Sequence, residues 1–136
     1  MDADTLRRRA AEARVGRLAT IGDDGAPHQV PCCFVLDGDT LYTAVDDVKA
    51  KRTARLRRLD NVRAHPVASL LVDHYDEDWS QLWWIRMDGA ARVLEPDTDE
   101  AAVARALLAG KYEQYRAQPP PGAVIAVDVE RWRAWP

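Results

Sequence analysis

The hydrophobic and polar positions change their period several times along the chain, and each change predicts a new element. Leu6, Ala10 and Ala13 recur at helical spacing and predict a short helix over residues 4–14. Three strand-like runs follow, RLATI, HQVPCCFVL and TLYTAV, separated by the turn sequences GDDGAP and DGD. This pattern predicts a three-strand meander. Since proline removes a ladder donor, Pro31 in the second run indicates a sheet edge, a bulge or a ligand-facing break.

The second half of the chain predicts two helices and three further strands. The basic run VKAKRTARLRRL predicts a helix that begins after Asp46 and Asp47, which can cap it, and ends near residues 60–61. The strand PVASLLVDHY follows, and DEDWS separates it from the long strand QLWWIRMDGAARVLE, with a bend expected at Gly89. Asp97 and Glu100 have the spacing of a capping box at the start of the next helix. After the breaker QPPPG, AVIAVDVERWRAW predicts the final strand.

These elements predict an all-β core with flanking helices, in which short turns join most strands. Strands connected in this way favour an antiparallel barrel over alternating βαβ units. Neither a repeat nor a long linker divides the chain, so we expect residues 1–136 to form a single domain.

Composition narrows the functional classes. The formal net charge is -3, which argues against general nucleic-acid affinity. No apolar run approaches the roughly 18 residues of a membrane span, and the N-terminus has no signal-like apolar region. The adjacent Cys32 and Cys33 are expected to be reduced thiols, which favours a cytoplasmic protein. His28, His65 and His74 lack metal-binding spacing, so we expect no metal.

The segment from Val48 to Leu59 departs from this acidic balance, because it holds six of the nineteen basic residues and no acid. On a helix, Val48, Leu56 and Leu59 form the apolar face, and Arg52 lies near the middle of that face. A charge there is costly unless it meets a partner. Two interpretations stay open: Arg52 snorkels or pairs with an acid, or it binds a phosphate together with neighbouring basic residues.

The order of these segments resembles a known superfamily. RVGRLATIGDDGAPHQVPCCFVLDGDTLYTAV, the basic helix and HPVASLLVDHY are similar to the split β-barrel flavin- and deazaflavin-binding proteins related to pyridoxamine 5'-phosphate oxidase. DHYDEDWSQLWWIRMDGAARVL resembles the actinobacterial branch that uses coenzyme F420. The resemblance implies a six-stranded antiparallel split barrel that forms a homodimer, with two cofactor grooves at the dimer interface.

The resemblance also implies positions for the cofactor on this chain. The phosphate would be held by basic residues after the third strand, namely Lys49, Lys51, Arg52 and Arg55. The tricyclic ring would lie against the second and third strands, at Val30, Pro31, Cys32 and Cys33 with Thr43, Ala44 and Val45 opposite. The substrate-phosphate residues of pyridoxamine oxidases do not map onto this chain, which puts pyridoxamine phosphate oxidation in doubt.

A candidate substrate pocket follows from the aromatic segment. Adjacent residues on a strand face opposite sides, so Trp83 and Trp84 cannot both fill the core. Arg86 shares the face of Trp84 and could pair with an acidic cofactor tail or with Asp88. The possible pocket residues are Tyr75, Trp79, Trp84 and Arg86, and Asp73 and His74 could edge the same pocket. No catalytic residue is identified, although Tyr75 or His28 could supply a proton.

The sequence therefore predicts an oxidoreductase that transfers hydride between F420 and a small molecule. FMN is the alternative cofactor, and a non-catalytic carrier of either cofactor is the alternative role. The surplus of basic positions favours F420, whose oligoglutamate tail carries additional negative charge. A nucleic-acid-binding role for the basic helix is disfavoured, because apolar residues interrupt its basic face.

Overall fold

A computed structural model describes residues 1–45 and 52–136, with only the backbone described for residues 52–56. The described helices are α1 (Ala3–Glu12), α2 (Arg52–Ala64), α3 (Asp99–Lys111) and α4 (Glu113–Ala117). The strands are β1 (Gly16–Ile21), β2 (Pro27–Cys32), β3 (Val35–Asp37), β4 (Thr40–Ala44), β5 (Val67–His74), β6 (Trp83–Leu94) and β7 (Val124–Trp135). A short 3-10 helix, Trp79–Gln81, connects β5 to β6.

All strands form one antiparallel sheet in the order β2-β1-β5-β6-β7-β4-β3. The two edge strands, β2 and β3, are consecutive in sequence. Three Cα steps of 3.8 Å separate Cys32 from Val35, so the two sheet edges approach within about 11 Å. The sheet must therefore curl back on itself, as the predicted barrel requires.

The sheet has seven strands rather than the six expected, because the predicted second strand divides at Cys33 and Phe34. Its first part pairs with β1 and its second part with β4, at the opposite end of the sheet. Within the predicted meander, only the pairings of β1 with β2 and of β3 with β4 are correct. Pro31 lies on the edge strand β2, where the missing backbone donor breaks no inner ladder, which is one of the three settings expected for it.

The sheet separates two hydrophobic clusters. Alternate residues of β4 and β7 face opposite sides, so Leu41 and Ile125 pack inside the curl while Tyr42 and Ala126 face outward. Helices α1 and α2 contribute Ala10, Leu59 and Val62 to the inner cluster. Helices α3 and α4 cover the outer side of β3, β4 and part of β7 with Ala101, Ala104, Leu108 and Tyr115. The helices therefore flank a β core, as predicted.

Two predicted boundaries are wrong. Helix α2 extends to Ala64 instead of stopping near residues 60–61, and Pro66 follows its end. The N-cap of α3 is Thr98, whose side chain accepts a hydrogen bond from the backbone N–H of Ala101. The expected capping box is absent at this described terminus, because Glu100 bonds instead to Arg92 and Tyr42. The predicted caps Asp46 and Asp47 lie outside the described residues.

The outer face of β1, β5 and the first half of β6 stays half-exposed or exposed. It includes Val67 on β5 and Trp135 at the end of β7, with 47% and 48% of their surfaces exposed. Among the described helices, none is long and apolar enough to cross a membrane. Within residues 1–45 and 52–136, no group of His, Cys, Asp and Glu side chains is placed to hold a metal ion.

Candidate functional site

The predicted ring-binding positions fall on edge strand β2, on the crossing that follows it, and on β4. In β2, Val30 is half-buried, Pro31 is exposed and Cys32 is buried. Cys33 begins the crossing between the two sheet edges and is half-buried. Since successive side chains of a strand alternate in direction, Val30 and Cys32 face the interior and Pro31 faces outward.

The opposing positions on β4 are closed off by the chain itself. Thr43 is fully buried, and its hydroxyl donates to the Cys33 carbonyl oxygen at 2.7 Å. Ala44 packs in the outer cluster under α3, and Val45 packs in the inner cluster. Thr43 therefore contacts the predicted ring-binding segment through the backbone of Cys33. Accessible surface for a ring is offered by Val30, Pro31 and Cys33.

The thiol of Cys32 is held in its neutral form. Burial raises the pKa of the Cys32 thiol, and this outweighs the hydrogen bond from Thr43, which lowers it. A nucleophilic cysteine requires the opposite shift, because the thiolate is the reactive species. Cys32 thus serves packing at this site, as the absence of an activating base in the sequence suggested.

Two side chains from the end of α3 hold the crossing in place. The Tyr112 hydroxyl accepts from the Phe34 N–H at 3.1 Å and donates to the Arg14 carbonyl oxygen at 2.8 Å. Lys111 Nζ donates to the Phe34 carbonyl oxygen at 2.8 Å and lies 4.0 Å from the centre of the Phe34 ring. Burial, aided by the Arg14 charge, lowers the pKa of Lys111 to about 8. These bonds satisfy backbone groups that no strand neighbour reaches.

The predicted phosphate residues are described only in part. Lys49 and Lys51 lie outside the described residues, and Arg52 and Arg55 belong to α2 with their side chains undescribed. Further along α2, Arg57 is exposed.

Arg58 of α2 is half-buried. Its Nε is buried and has no hydrogen-bond partner in the described part of the chain. The Arg58 charge lowers the pKa of the nearby Cys32 thiol, although burial has the larger opposite effect. A buried guanidinium donor without an acceptor is costly, so this nitrogen favours an anionic partner beside β2.

A second unsatisfied atom belongs to strand β2. His28 Nδ1 is buried and, within the described residues, lacks a hydrogen-bond partner. His28 pairs across the sheet with Thr20, whose hydroxyl accepts from Asn61 Nδ2 at 3.1 Å. Asn61 is three residues after Arg58, and residues at this spacing share a helix face. Arg58 and His28 therefore border one region between α2 and β2.

A separate cavity of about 430 Å³ opens at the far end of β5, β6 and β7. We call it the aromatic chamber, and its apolar and aromatic lining consists of Leu71, His74, Tyr75, Leu82, Trp83, Trp84 and Trp135. The His74 and Trp83 rings stack with their centres 6.0 Å apart. The paired tryptophans face opposite sides as predicted, since Trp83 packs against the inner cluster while Trp84 lies on the outer face.

Three of the four possible pocket residues line this chamber. Tyr75 is 64% exposed, and Arg86 pairs with the Asp88 carboxylate through Nε at 3.0 Å, which was one of the two partners considered. Trp84 forms part of the wall. Trp79 is 68% exposed and does not line the chamber.

Sequence reasoning missed Trp135 and Leu71 as lining residues. The strand alternation places Asp73, Trp84 and Trp135 on one face, but their alignment depends on the β5–β6–β7 register. That register sets Trp84 beside Trp135, 51 positions later in the sequence, so local pattern contains no signal for it.

Comparison with known proteins supports the architecture. Residues 3–136 match the model of the pyridoxamine 5'-phosphate oxidase family. A conserved hypothetical protein from Mycobacterium tuberculosis aligns with a TM-score of 0.78 at 19% identity, covering 99% of this chain and 84% of that protein. No curated protein matches the sequence.

Two further solved structures have names that mention a ligand. A heme binding protein from Mycobacterium smegmatis aligns with a TM-score of 0.75 at 23% identity, covering 99% of this chain and 55% of that protein. An FAD-binding protein from Mesorhizobium loti aligns with a TM-score of 0.74 at 21% identity, covering 98% and 94%. At these identities the likeness establishes the fold alone.

Proposed function

Because the chain belongs to the pyridoxamine 5'-phosphate oxidase family, we propose that it is an oxidoreductase whose cofactor is the deazaflavin F420, with FMN as the alternative. Basic residues of helix α2 would hold the phosphate, and β2 would support the ring. The name of the Mesorhizobium loti neighbour supports a flavin-type ligand on this fold.

The observation that carries this proposal is the unpaired Nε of Arg58. This nitrogen is buried, and the Arg58 charge acts on the Cys32 thiol of the strand assigned to the ring. An anion there converts an unsatisfied charged donor into a charge-assisted hydrogen bond, which is about twice as strong as a neutral one. The residues present therefore fit a cofactor that joins a phosphate to a flat ring.

The chain's own residues would then bind and orient the cofactor. Lys49, Lys51, Arg52 and Arg55 hold the phosphate together with Arg58, while the edge at Val30–Cys33 supports the ring. When bound, the deazaflavin supplies the hydride chemistry, and the protein contributes orientation and exclusion of water. His28 lies two residues from Val30 and carries an unpaired buried nitrogen, so it is the proton donor that this site favours.

The choice of F420 over FMN rests on charge. The segment at residues 48–59 contains six basic residues, which exceeds what one phosphate requires. An oligoglutamate tail adds several carboxylates, and each charge-assisted contact increases affinity.

A homodimer belongs to this proposal, because the ring positions lie beside the half-exposed outer face of the sheet. Pro31, Arg17, Leu71 and Arg86 occupy one row across β2, β1, β5 and β6. A second copy packed on this face closes a groove over β2 and buries Val67. The substrate reaches the ring within that closed groove.

A fluorescence titration of the purified protein with F420 and with FMN tests the proposal. We expect F420 to bind more tightly than FMN, and Arg52→Glu to weaken F420 binding by more than tenfold while the protein stays folded. Arg57→Glu is the matched control, because it makes the same charge change on an exposed position of the same helix. Equal affinities for wild type and Arg52→Glu would contradict the phosphate role, and tighter FMN binding would make FMN the cofactor.

The second candidate is a carrier that binds the cofactor without turnover. A structural neighbour from Mycobacterium smegmatis is named a heme binding protein, which supports a ligand-binding role for this fold. In this chain, His74 stacks on Trp83 and offers an imidazole beside an aromatic cavity. Oxidation of reduced F420 in the presence of candidate acceptors separates the two roles. Steady turnover identifies an enzyme, whereas stoichiometric binding without turnover identifies a carrier.

A further inference from the structure

A second cavity of about 390 Å³ lies between α1 and the start of β1. We call this second cavity the arginine recess, because Arg9, Arg14 and Arg17 line it. Asp73 and Trp83 line both cavities, so the two are adjacent, and we call them together the groove. One end of the groove is aromatic and the other is cationic.

The cationic end has more positive charge than its acids neutralise. Arg17 pairs with Asp73 at 3.0 Å. Arg9 lies over the Trp83 ring at 5.3 Å, and Arg14 lies over the Tyr112 ring at 4.7 Å. Within the described residues, neither Arg9 nor Arg14 has a carboxylate partner.

The second acid of the recess is Glu12. Its carboxylate lies 3.6 Å from Arg8, which does not line the recess, and this is its only ion pair among the described residues. Three arginines and two acids therefore line the recess, so one positive charge is in excess. An anionic group that enters the recess can accept charge-assisted hydrogen bonds from Arg9 and Arg14.

The aromatic end selects a different part of the ligand. Trp83 spans both cavities, and Trp84, Trp135 and Tyr75 add large apolar faces that a flat ring system can stack on. The combined groove therefore recognises an amphipathic molecule, with its ring in the chamber and its acid in the recess.

The sheet register places this groove within reach of the predicted cofactor. Pro31 pairs with Arg17, and Arg17 pairs with Leu71 of the chamber wall. Neighbouring strands lie about 4.8 Å apart, so Leu71 is about 10 Å from Pro31 on the same face. This separation matches adjacent binding of a cofactor ring on β2 and a second molecule beside it.

We propose that the groove binds the substrate, and that the substrate is a small flat aromatic or unsaturated ring system carrying a carboxylate. This inference rests on the proposed function, because it assigns the groove to the molecule that reacts with the cofactor. Arg9 and Arg14 recognise the carboxylate, and Trp84 and Trp135 stack on the ring. Arg17 is a positioning residue, held in place by Asp73.

Two isosteric probes, 2-naphthoate and its neutral amide 2-naphthamide, separate the charge and ring contributions in a ligand-detected NMR titration. We expect the wild-type protein to bind naphthoate about tenfold more tightly than naphthamide. Arg9→Gln should reduce naphthoate affinity to that of naphthamide and leave naphthamide binding unchanged, and Arg9→Lys should restore part of the difference. Arg7→Gln is the matched control, since it removes an arginine of α1 that lies outside the recess, as does its partner Asp39.

The ring contribution has its own pair of variants. Trp135→Ser should weaken both probes at least fivefold, whereas Trp79→Ser should weaken neither, because exposed Trp79 does not line the groove. Trp135 and Trp79 are 48% and 68% exposed, so circular dichroism should show that both variants fold like the wild type.

The titration is repeated with the preferred cofactor bound. Retained naphthoate binding supports the substrate assignment, whereas displacement of naphthoate by the cofactor overturns it and gives the groove to the cofactor. Equal affinities for the two probes, or an unaffected Arg9→Gln, also overturn it. The cofactor-free titration remains decisive if cofactor binding fails, so the failure of this inference and that of the proposed function are distinguishable.

Discussion

Gly89 shows how one residue permits the long β6–β7 pairing. Asp88 pairs with Arg131 but Gly89 pairs with Val129, so Glu130 is an extra residue and the ladder has a β-bulge. A Cβ on Gly89 would lie 2.0 Å from the backbone oxygen of Asp128. Only glycine allows the two backbones to approach this closely.

We predict that Gly89→Ala lowers the free energy of unfolding by about 2–4 kcal/mol, because the backbone must shift to relieve the clash. Gly110→Ala is the control, since nothing lies within 4 Å of its added Cβ in helix α3. Replacing that exposed helical glycine should be neutral or raise stability by up to about 1 kcal/mol. Urea denaturation measures both, and equal stabilities for the two variants would refute this account of the bulge.

At the scale of elements, Arg92 joins two strands to a helix. Its guanidinium binds the Glu100 carboxylate of α3 through two bonds of 2.9 Å and the Asp128 carboxylate of β7 at 2.7 and 3.0 Å. The Tyr42 hydroxyl of β4 adds a bond of 2.9 Å to Glu100. These bonds to Arg92 lower the pKa of both carboxyl groups. Burial and the Glu100 bond raise the pKa of Tyr42 to about 12.

The lowered carboxyl pKa values predict a pH-dependent stability. Groups with a pKa below the unfolded value stabilise the fold above pH of about 4–5, and this contribution is lost as pH falls further. We expect Arg92→Met to lower the free energy of unfolding by about 1–2 kcal/mol at pH 7, a range reduced for solvent screening of these half-exposed groups. The difference from wild type should shrink between pH 5 and pH 3.

Arg8→Met provides the comparison for this measurement. It removes an exposed pair with Glu12 on one helix and should change stability by less than about 0.5 kcal/mol at either pH. Urea unfolding at several pH values measures both variants. A constant difference between wild type and Arg92→Met across this range would show that the loss comes from packing and not from charge.

At the scale of the whole molecule, the curled sheet is covered unequally. Helices α3 and α4 pack on one part of its outer side, whereas the outer face of β1, β5 and the first half of β6 remains half-exposed. A surface of this kind on a protein with cofactor positions at its margin is the basis for the proposed dimer.

Paired valine substitutions test the dimer. Val67 is 47% exposed on the uncovered face, and Val103 is 51% exposed on α3. We predict that Val67→Asp weakens dimerisation at least tenfold, because a carboxylate would be buried without a partner in the interface. Val103→Asp should leave the dimer intact. Sedimentation equilibrium measures both, and a monomeric wild-type protein at micromolar concentration would contradict the proposed interface.

Local pattern determined much of this protein in advance. The turns at Gly25 and Gly38 adopt positive φ values of 80° and 61°, where glycine is favoured, so the turn sequences predicted real turns. Alternation along β6 assigned Trp83 and Trp84 to opposite faces, and Pro31 indicated an edge strand. These features depend on residues that are close together in the sequence, and the hydrophobic periodicity of a segment reflects contacts over this short range.

Only the tertiary structure decided where distant segments meet. The division of the predicted second strand at Cys33 and Phe34 follows from closing the sheet, because its two halves pair at opposite edges. Long-range packing also left Arg58 Nε without a partner and aligned Trp135 with Trp84. Pairing register and burial arise from contacts between residues far apart in sequence. The turns and most of the strands were therefore determined by the sequence alone, whereas the division of the second strand and the groove were determined by the folded chain.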